Sequence, residues 1–226
     1  MVKRTAAKRT FSLAMTDFDL YLKPTGFIDS DNPEVKAYAN RITTDGKSDK
    51  LKAVDLYYAV RDDILYDPYH LELDPKVISA SLTLKRGRGY CVEKSLLLAA
   101  VGRVHGIPSR LGFSIVRNHL STQKFIERLR SDKFVFHGYN EFWLEGKWVK
   151  CTPAFNKSLC EKFGVLPLEF DGEHDSIFHE FAGGHKYMEY LHEYGQFDDL
   201  PYDLFVQELK VHYPHLFENG SELLLK

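Results

Sequence analysis

An α+β architecture is predicted by three features of this sequence. Helical signals crowd the stretch from Asn32 to Gly106, strand signals follow between Arg110 and Cys151, and a tight Glu145-Gly146 turn makes the last two strands an antiparallel hairpin. The chain is long enough to bury such an arrangement, since 44% of its 226 residues are hydrophobic.

The elements follow in order. Asn32-Pro33 is an N-cap and first-turn pair that opens a helix to about Ile42, before the polar run Thr43 to Asp49. From Leu51 to Leu65, Ala53, Leu56, Tyr57, Val60 and Ile64 recur at helical spacing, and Asp67-Pro68 ends the pattern. Lys85-Arg86-Gly87-Arg88-Gly89 reads as a loop. A mostly buried helix then starts at Cys91 and stops near Gly106, with Pro108 beyond. Arg110 to Val116 is predicted as a strand, Ser121 to Arg130 as a surface helix, and Tyr139–Leu144 with Lys147–Cys151 as the hairpin. Asn156 caps a short helix to Phe163, stopped by Gly164, and a last helix covers Leu204 to Val211. No repeat or low-complexity linker interrupts the chain. The expected organisation is one domain over 1–226, with a motif-bearing core at about 50–156, an N-terminal helical arm at 1–49 and a C-terminal extension at 157–226 packed on the core.

Composition narrows the function classes. Sixteen Phe, thirteen Tyr and two Trp are incompatible with a disordered chain. Thirty basic residues balance 32 acidic ones, so no field draws the protein to nucleic acid or an anionic membrane. No stretch is apolar enough to span a bilayer, and Lys3, Arg4, Lys8 and Arg9 are followed by no apolar signal region. Three cysteines argue against a disulfide scaffold and for a reducing cytoplasm with a free thiol.

That thiol is Cys91. A helix N-terminus presents unpaired N–H groups and the positive end of the dipole, both of which favour a thiolate, and Lys85, Arg86 and Arg88 stand upstream. A cysteine nucleophile also needs an imidazole, and His137, in the aromatic run Phe136-His137-Gly138-Tyr139, is the best placed. Cys151 and Cys160 read as small buried hydrophobes, the former because its neighbour Thr152 would take the opposite face of the strand. Lys94-Ser95 at a helix start lacks the glycines of a phosphate loop. His174, His179, His185 and His192 enrich the C-terminal third, and His185, Glu189 and His192 would share one face of a helix, a low-ranking metal candidate. His119, closing a strand, is expected to be structural or substrate-side.

Gly89-Tyr90-Cys91, a buried helix, and then Arg103-Val-His-Gly-Ile-Pro-Ser-Arg110 resemble the G-x-C and R-x-x-G-I-P-[AS]-R signatures of the transglutaminase-like superfamily, which has a papain-like fold. The stretch from His137 through Glu141 and Trp148 to Pro153 is similar to that family's block of His, Glu, Trp and Asp-Pro, and the whole is most like a bacterial stand-alone branch. The resemblance implies a helix carrying Cys91 packed on a small antiparallel sheet carrying His137. It further implies a cysteine-nucleophile enzyme that acts on peptide or glutamine carboxamide bonds through an acyl-enzyme, as hydrolase or acyltransferase. No cofactor is implied, and the partner would be a peptide or protein substrate.

One position departs from the family's pattern. Where an orienting aspartate is expected, this chain has Thr152. Threonine accepts a hydrogen bond from the imidazole but brings no charge. Either Thr152 orients His137, or an acid substitutes, for which Glu141, Asp171 and Asp175 are candidates, with Asn140 and Tyr90 in support. Tyr90 and Tyr66 are the candidates for a second oxyanion donor beside the Cys91 N–H. The competing readings are a catalytically impaired module that binds peptides in the same groove, and a metal-dependent hydrolase.

Overall fold

The computed structural model describes residues 18–69, 71–118, 122–177 and 188–218. Helix α1 (Pro33–Ile42) begins where Asn32 accepts the Glu34 N–H at 2.9 Å, and buries Val35, Tyr38 and Ala39. Helix α2 (Asp49–Asp63), capped by Ser48, buries Ala53, Leu56, Tyr57 and Val60, which are positions of the predicted apolar stripe. A two-residue strand β1 (Leu65–Tyr66) runs parallel to β2 (Arg88–Gly89). Between them lies α3 (Ala80–Arg86), absent from the sequence reading, which ends on Gly87 at φ 64°. The parallel pair fixes the chain just upstream of Cys91.

Helix α4 (Cys91–Val104) is buried from Val92 through Arg103. A helix enclosed on all sides lies inside the core. Its polar residues Glu93, Lys94, Ser95 and Arg103 are buried as well, and the Lys94 ammonium donates to the Arg61 and Ile64 carbonyls at 2.9 and 2.6 Å, closing the C-terminal end of α2. That is the work of a helix cap, and it accounts for a lysine no phosphate loop would use.

The main sheet has the order β5-β4-β3-β6, all neighbours antiparallel. It comprises β3 (Ser109–Asn118), β4 (Lys133–Leu144), β5 (Lys147–Cys151) and β6 (Met188–Phe197), with helix α5 (Gln123–Leu129) between β3 and β4 and α6 (Lys157–Phe163) after β5. Glu145 and Gly146 turn the hairpin with φ of 49° and 87°, the backbone a two-residue antiparallel turn requires. Strand β4 starts six residues earlier than predicted, because Lys133, Phe134, His137 and Gly138 also pair with β3. Helix α7 (Tyr202–His212) buries Phe205 and Leu209 in the core.

The sequence reading misassigns two stretches. Residues 85–89, read as a loop, are the last turn of α3, its Gly87 stop and strand β2. Residues 188–197 form an edge strand on β3 and not a helix, so the shared helical face of His185, Glu189 and His192 does not exist. Its sequence, Met-Glu-Tyr-Leu-His-Glu-Tyr, fits an alternating pattern as well as a helical one, and the free edge of β3 decides between them.

Candidate active site

Cys91 is the first residue of α4 and only partly covered, whereas Cys151 and Cys160 are 0% and 2% exposed. Its sulfur lies within reach of three backbone N–H groups, those of Gly138, Val92 and Cys91 itself, all of which favour the anion. Burial outweighs them and pushes the thiol up from 9.0 to about 11, with the Glu93 carboxylate adding to the rise. This corrects the expectation of a thiolate favoured by upstream cations. Arg86 is taken by the buried carboxylate of Glu93, and Arg88 leans on Asp67 at 3.8 Å. Both arginines are therefore spent on acids, and one of those acids, Glu93, works against the thiolate.

Gly138 determines how closely sheet and helix approach. A Cβ there would stand 3.0 Å from the Val92 Cα and 3.3 Å from both the Cys91 carbonyl oxygen and the Ser95 hydroxyl. Absence of a side chain lets β4 lie directly on the first turn of α4 and aims the Gly138 N–H at the sulfur. Two residues further on, Asn140 donates to the Ser95 carbonyl at 2.8 Å, pinning the same strand to the second turn. Asn140 thus holds the sheet to the helix and is not directed at the imidazole.

His137 precedes Gly138 and is buried. It pairs with Ser114 of β3, while Phe134 pairs with Val116, so Val135 and Phe136 together face Ile115 alone. The extra residue is a β-bulge, and Phe136 takes a φ of 62° within it, a conformation uncommon for an aromatic residue. The bulge re-aims the strand at the point where His137 departs. Its ring meets Tyr190 of β6 edge-on, centroids 6.3 Å apart, and His137, Cys91, Tyr66 and Tyr90 line one small cavity of about 60 Å³.

Thr152 follows β5 and is buried. Its hydroxyl donates to the Gly138 carbonyl at 3.4 Å, and its N–H donates to the Ser176 carbonyl at 3.1 Å. Since Asn140 pairs with Cys151, the next residue falls beside Tyr139, diagonal to His137 on the same face. The three carboxylates weighed against it have other partners. Glu141 is buried in an ion pair with Arg110, whose Nε lies 2.8 Å away, and stands four residues along β4 from His137, roughly 13 Å in a strand. Asp171 is exposed and bonded to His174 Nδ1 at 2.7 Å, which together with backbone N–H groups holds its carboxyl well below the usual range. Asp175, also exposed, accepts the Lys150 N–H at 2.8 Å.

The sequence reading missed Gly138 and Tyr190. Gly138 lay in plain view next to His137, but only the packing reveals what its missing Cβ permits. Tyr190 was hidden by the helical assignment of its segment. His119, His179 and His185 lie outside the described residues. Glu189 binds Arg117 at 3.0 Å, His192 rests on the Tyr194 ring, and among the described residues no three metal-binding side chains converge. No helix of the described residues is long and apolar enough to cross a membrane.

With the geometry established, comparison with known proteins gives two solved structures of low identity. One is a candidate cysteine protease from Cytophaga hutchinsonii, 20% identical, with a TM-score of 0.46 over 61% of this chain and 42% of that one. The other is a candidate protease from Parabacteroides distasonis, 15% identical, with a TM-score of 0.38 over 61% of this chain and 25% of that one. The match thus spans less than half the length of either structure. No curated protein matches the chain. Residues 36–153, just over half of the sequence, match the family model described as the transglutaminase-like superfamily, and they contain both Cys91 and His137. This chain belongs to the transglutaminase-like superfamily.

Proposed function

We propose that the protein is a cysteine-nucleophile enzyme acting on amide bonds of peptides or proteins, with Cys91 as nucleophile, His137 as general base and acid, and Thr152 as the neutral group beside the imidazole. The observation that carries this reading is the opening of Cys91 and His137 onto one cavity at the α4 N-terminus. With the thiol pushed up to about 11, the resting nucleophile is the neutral thiol. Substrate entry then accompanies proton transfer from sulfur to His137 as the sulfur bonds to the amide carbon. The oxyanion forms next to the Cys91 N–H and the positive end of α4. Collapse breaks the C–N bond, the amine leaves with the proton held by His137, and a thioester remains on Cys91. Water, deprotonated by His137, resolves it to a carboxylic acid, or a second amine resolves it to a new amide. Three free thiols suit a reducing compartment.

The test combines a casein digest with a fluorescent primary amine, read by mass spectrometry. New peptide termini report hydrolysis, and incorporated amine reports acyl transfer. Both are expected to vanish in Cys91→Ala and His137→Gln. Turnover surviving in Cys91→Ala refutes the reading. Absence of turnover in wild type, together with saturable peptide binding, favours the second reading, a groove that binds without cutting, which the missing charge at Thr152 supports.

A further inference from the structure

A second hydroxyl stands beside the imidazole, on strand β3. Ser114 pairs directly with His137, in the last regular pair before the bulge at Phe136. Leu111 and Phe113 turn into the core, so Ser114 takes the opposite face of the sheet, the one on which the Tyr139 ring lies over Gly112. Directly opposed residues of an antiparallel pair share a face with Cβ atoms about 4.5–5.5 Å apart, a span that a serine oxygen and an imidazole nitrogen close with one hydrogen bond. Ser114 is 0% exposed, and its hydroxyl has no hydrogen-bond partner among the described residues. The neighbouring charges do not claim it: Glu193, its partner on β6, leans on the Lys150 ammonium at 3.6 Å, and Glu141 is held by Arg110. A buried hydroxyl without a partner costs the fold its lost hydration, and alanine would fill the same place without that cost. Serine here is therefore explained by a need that arises after folding, and the group opposite it is the one that changes its protonation during the reaction.

We infer that Ser114 is a positioning residue of the enzyme proposed above, its oxygen accepting an imidazole N–H of His137 whenever that ring carries the proton taken from Cys91 or from water. The inference rests on the reading of Cys91 as nucleophile and His137 as base. Once protonated, the ring has an N–H on each nitrogen and needs an acceptor for both in a buried place. Ser114 supplies one without any change in its own protonation, since a hydroxyl oxygen keeps its hydrogen while a lone pair accepts. Thr152 stands diagonal to the ring on the β5 side, its hydroxyl hydrogen directed at the Gly138 carbonyl at 3.4 Å. His137 thus works between two neutral oxygens, on β3 and after β5, where a single aspartate would bring a charge.

The test uses p-nitrophenyl acetate, which acetylates the Cys91 sulfur as nitrophenolate leaves. Mass spectrometry of the intact protein, with peptide mapping, then follows the release of acetate from that thioester by water across neutral to alkaline pH, in wild type, Ser114→Ala, His137→Gln and the double variant. Loss of one neutral hydrogen bond to the protonated ring is expected to slow release in Ser114→Ala by about 2- to 12-fold at neutral pH. The deficit should shrink at alkaline pH, where hydroxide attacks the thioester without help from His137. In the His137→Gln background the same substitution is expected to change nothing, which is the signature of action through the ring. The Tm of Ser114→Ala should equal or exceed that of wild type, because an unpartnered hydroxyl has been removed. An unchanged release profile in Ser114→Ala, a deficit that persists in the double variant, or a Tm several degrees below wild type overturns the positioning role and leaves Cys91 and His137 in place. If Cys91 is not acetylated, or if His137→Gln releases acetate as fast as wild type, the nucleophile and base reading falls and the assignment of Ser114 with it.

Discussion

Replacing Gly138 by alanine tests how tightly stability and thiol chemistry are joined. The new methyl would stand 3.0 Å from the Val92 Cα, a backbone atom that cannot rotate away, where carbon atoms rest comfortably at about 3.5–4.0 Å. Strand β4 and the first turn of α4 must therefore separate by roughly half an ångström, and overpacking of this kind costs about 1–3 kcal/mol. For a chain of this size, 2 kcal/mol corresponds to about 4–8 °C in Tm. The same separation withdraws the Gly138 N–H from the Cys91 sulfur. Losing one such hydrogen bond, about 1 kcal/mol, raises the thiol pKa further and slows alkylation at fixed pH by about fivefold. Calorimetry and an iodoacetamide pH–rate profile read the two effects on one variant. Gly46→Ala, where a Cβ meets nothing within 4 Å, is the control and is expected to shift stability by less than about 0.5 kcal/mol. A Gly138→Ala protein with wild-type Tm and an unchanged thiol profile would refute the close approach of β4 to α4.

Three further outcomes are expected. Iodoacetamide should label Cys91 ahead of Cys151 and Cys160, because it alone of the three is accessible, and its rate should keep climbing toward the thiol pKa of about 11; a rate plateau near pH 6 that disappears in His137→Ala would instead reveal a resting thiolate–imidazolium pair. Thr152→Asp should deepen the Cys91 thiolate population seen by ultraviolet absorbance and Thr152→Val should reduce it, since the rival carboxylates are engaged elsewhere, and identical titrations in wild type and both variants would remove Thr152 from the site. Burial pulls the Lys94 ammonium from 10.5 down to about 7, so between those pH values the unfolded chain binds more protons than the folded one and stability rises with pH, by up to about 1.4 kcal/mol per unit; urea titrations from pH 7 to 9 should show that slope in wild type and a flatter one in Lys94→Met.

The sequence by itself determined the features whose causes are local. Asn32-Pro33 starts α1, Gly164 stops α6, and Glu145-Gly146 turns the hairpin, because each signal acts through the φ angle or the hydrogen bond of its own residue. Cys91 at the head of a buried helix and His137 on a strand were legible for the same reason. Tertiary structure decided what depends on residues distant in the chain. Residues 188–197 became a strand because β3 offered an open edge, and no period in Met-Glu-Tyr-Leu-His-Glu-Tyr announces an edge. The bulge at Phe136 exists only through its register with Ile115. The arginines upstream of Cys91 were visible, but their capture by Glu93 and Asp67 was not, and neither was the burial that lifts the thiol. A helix start favours a thiolate through its first few N–H groups, whereas desolvation depends on everything packed around the sulfur, and that sum is a property of the folded chain alone.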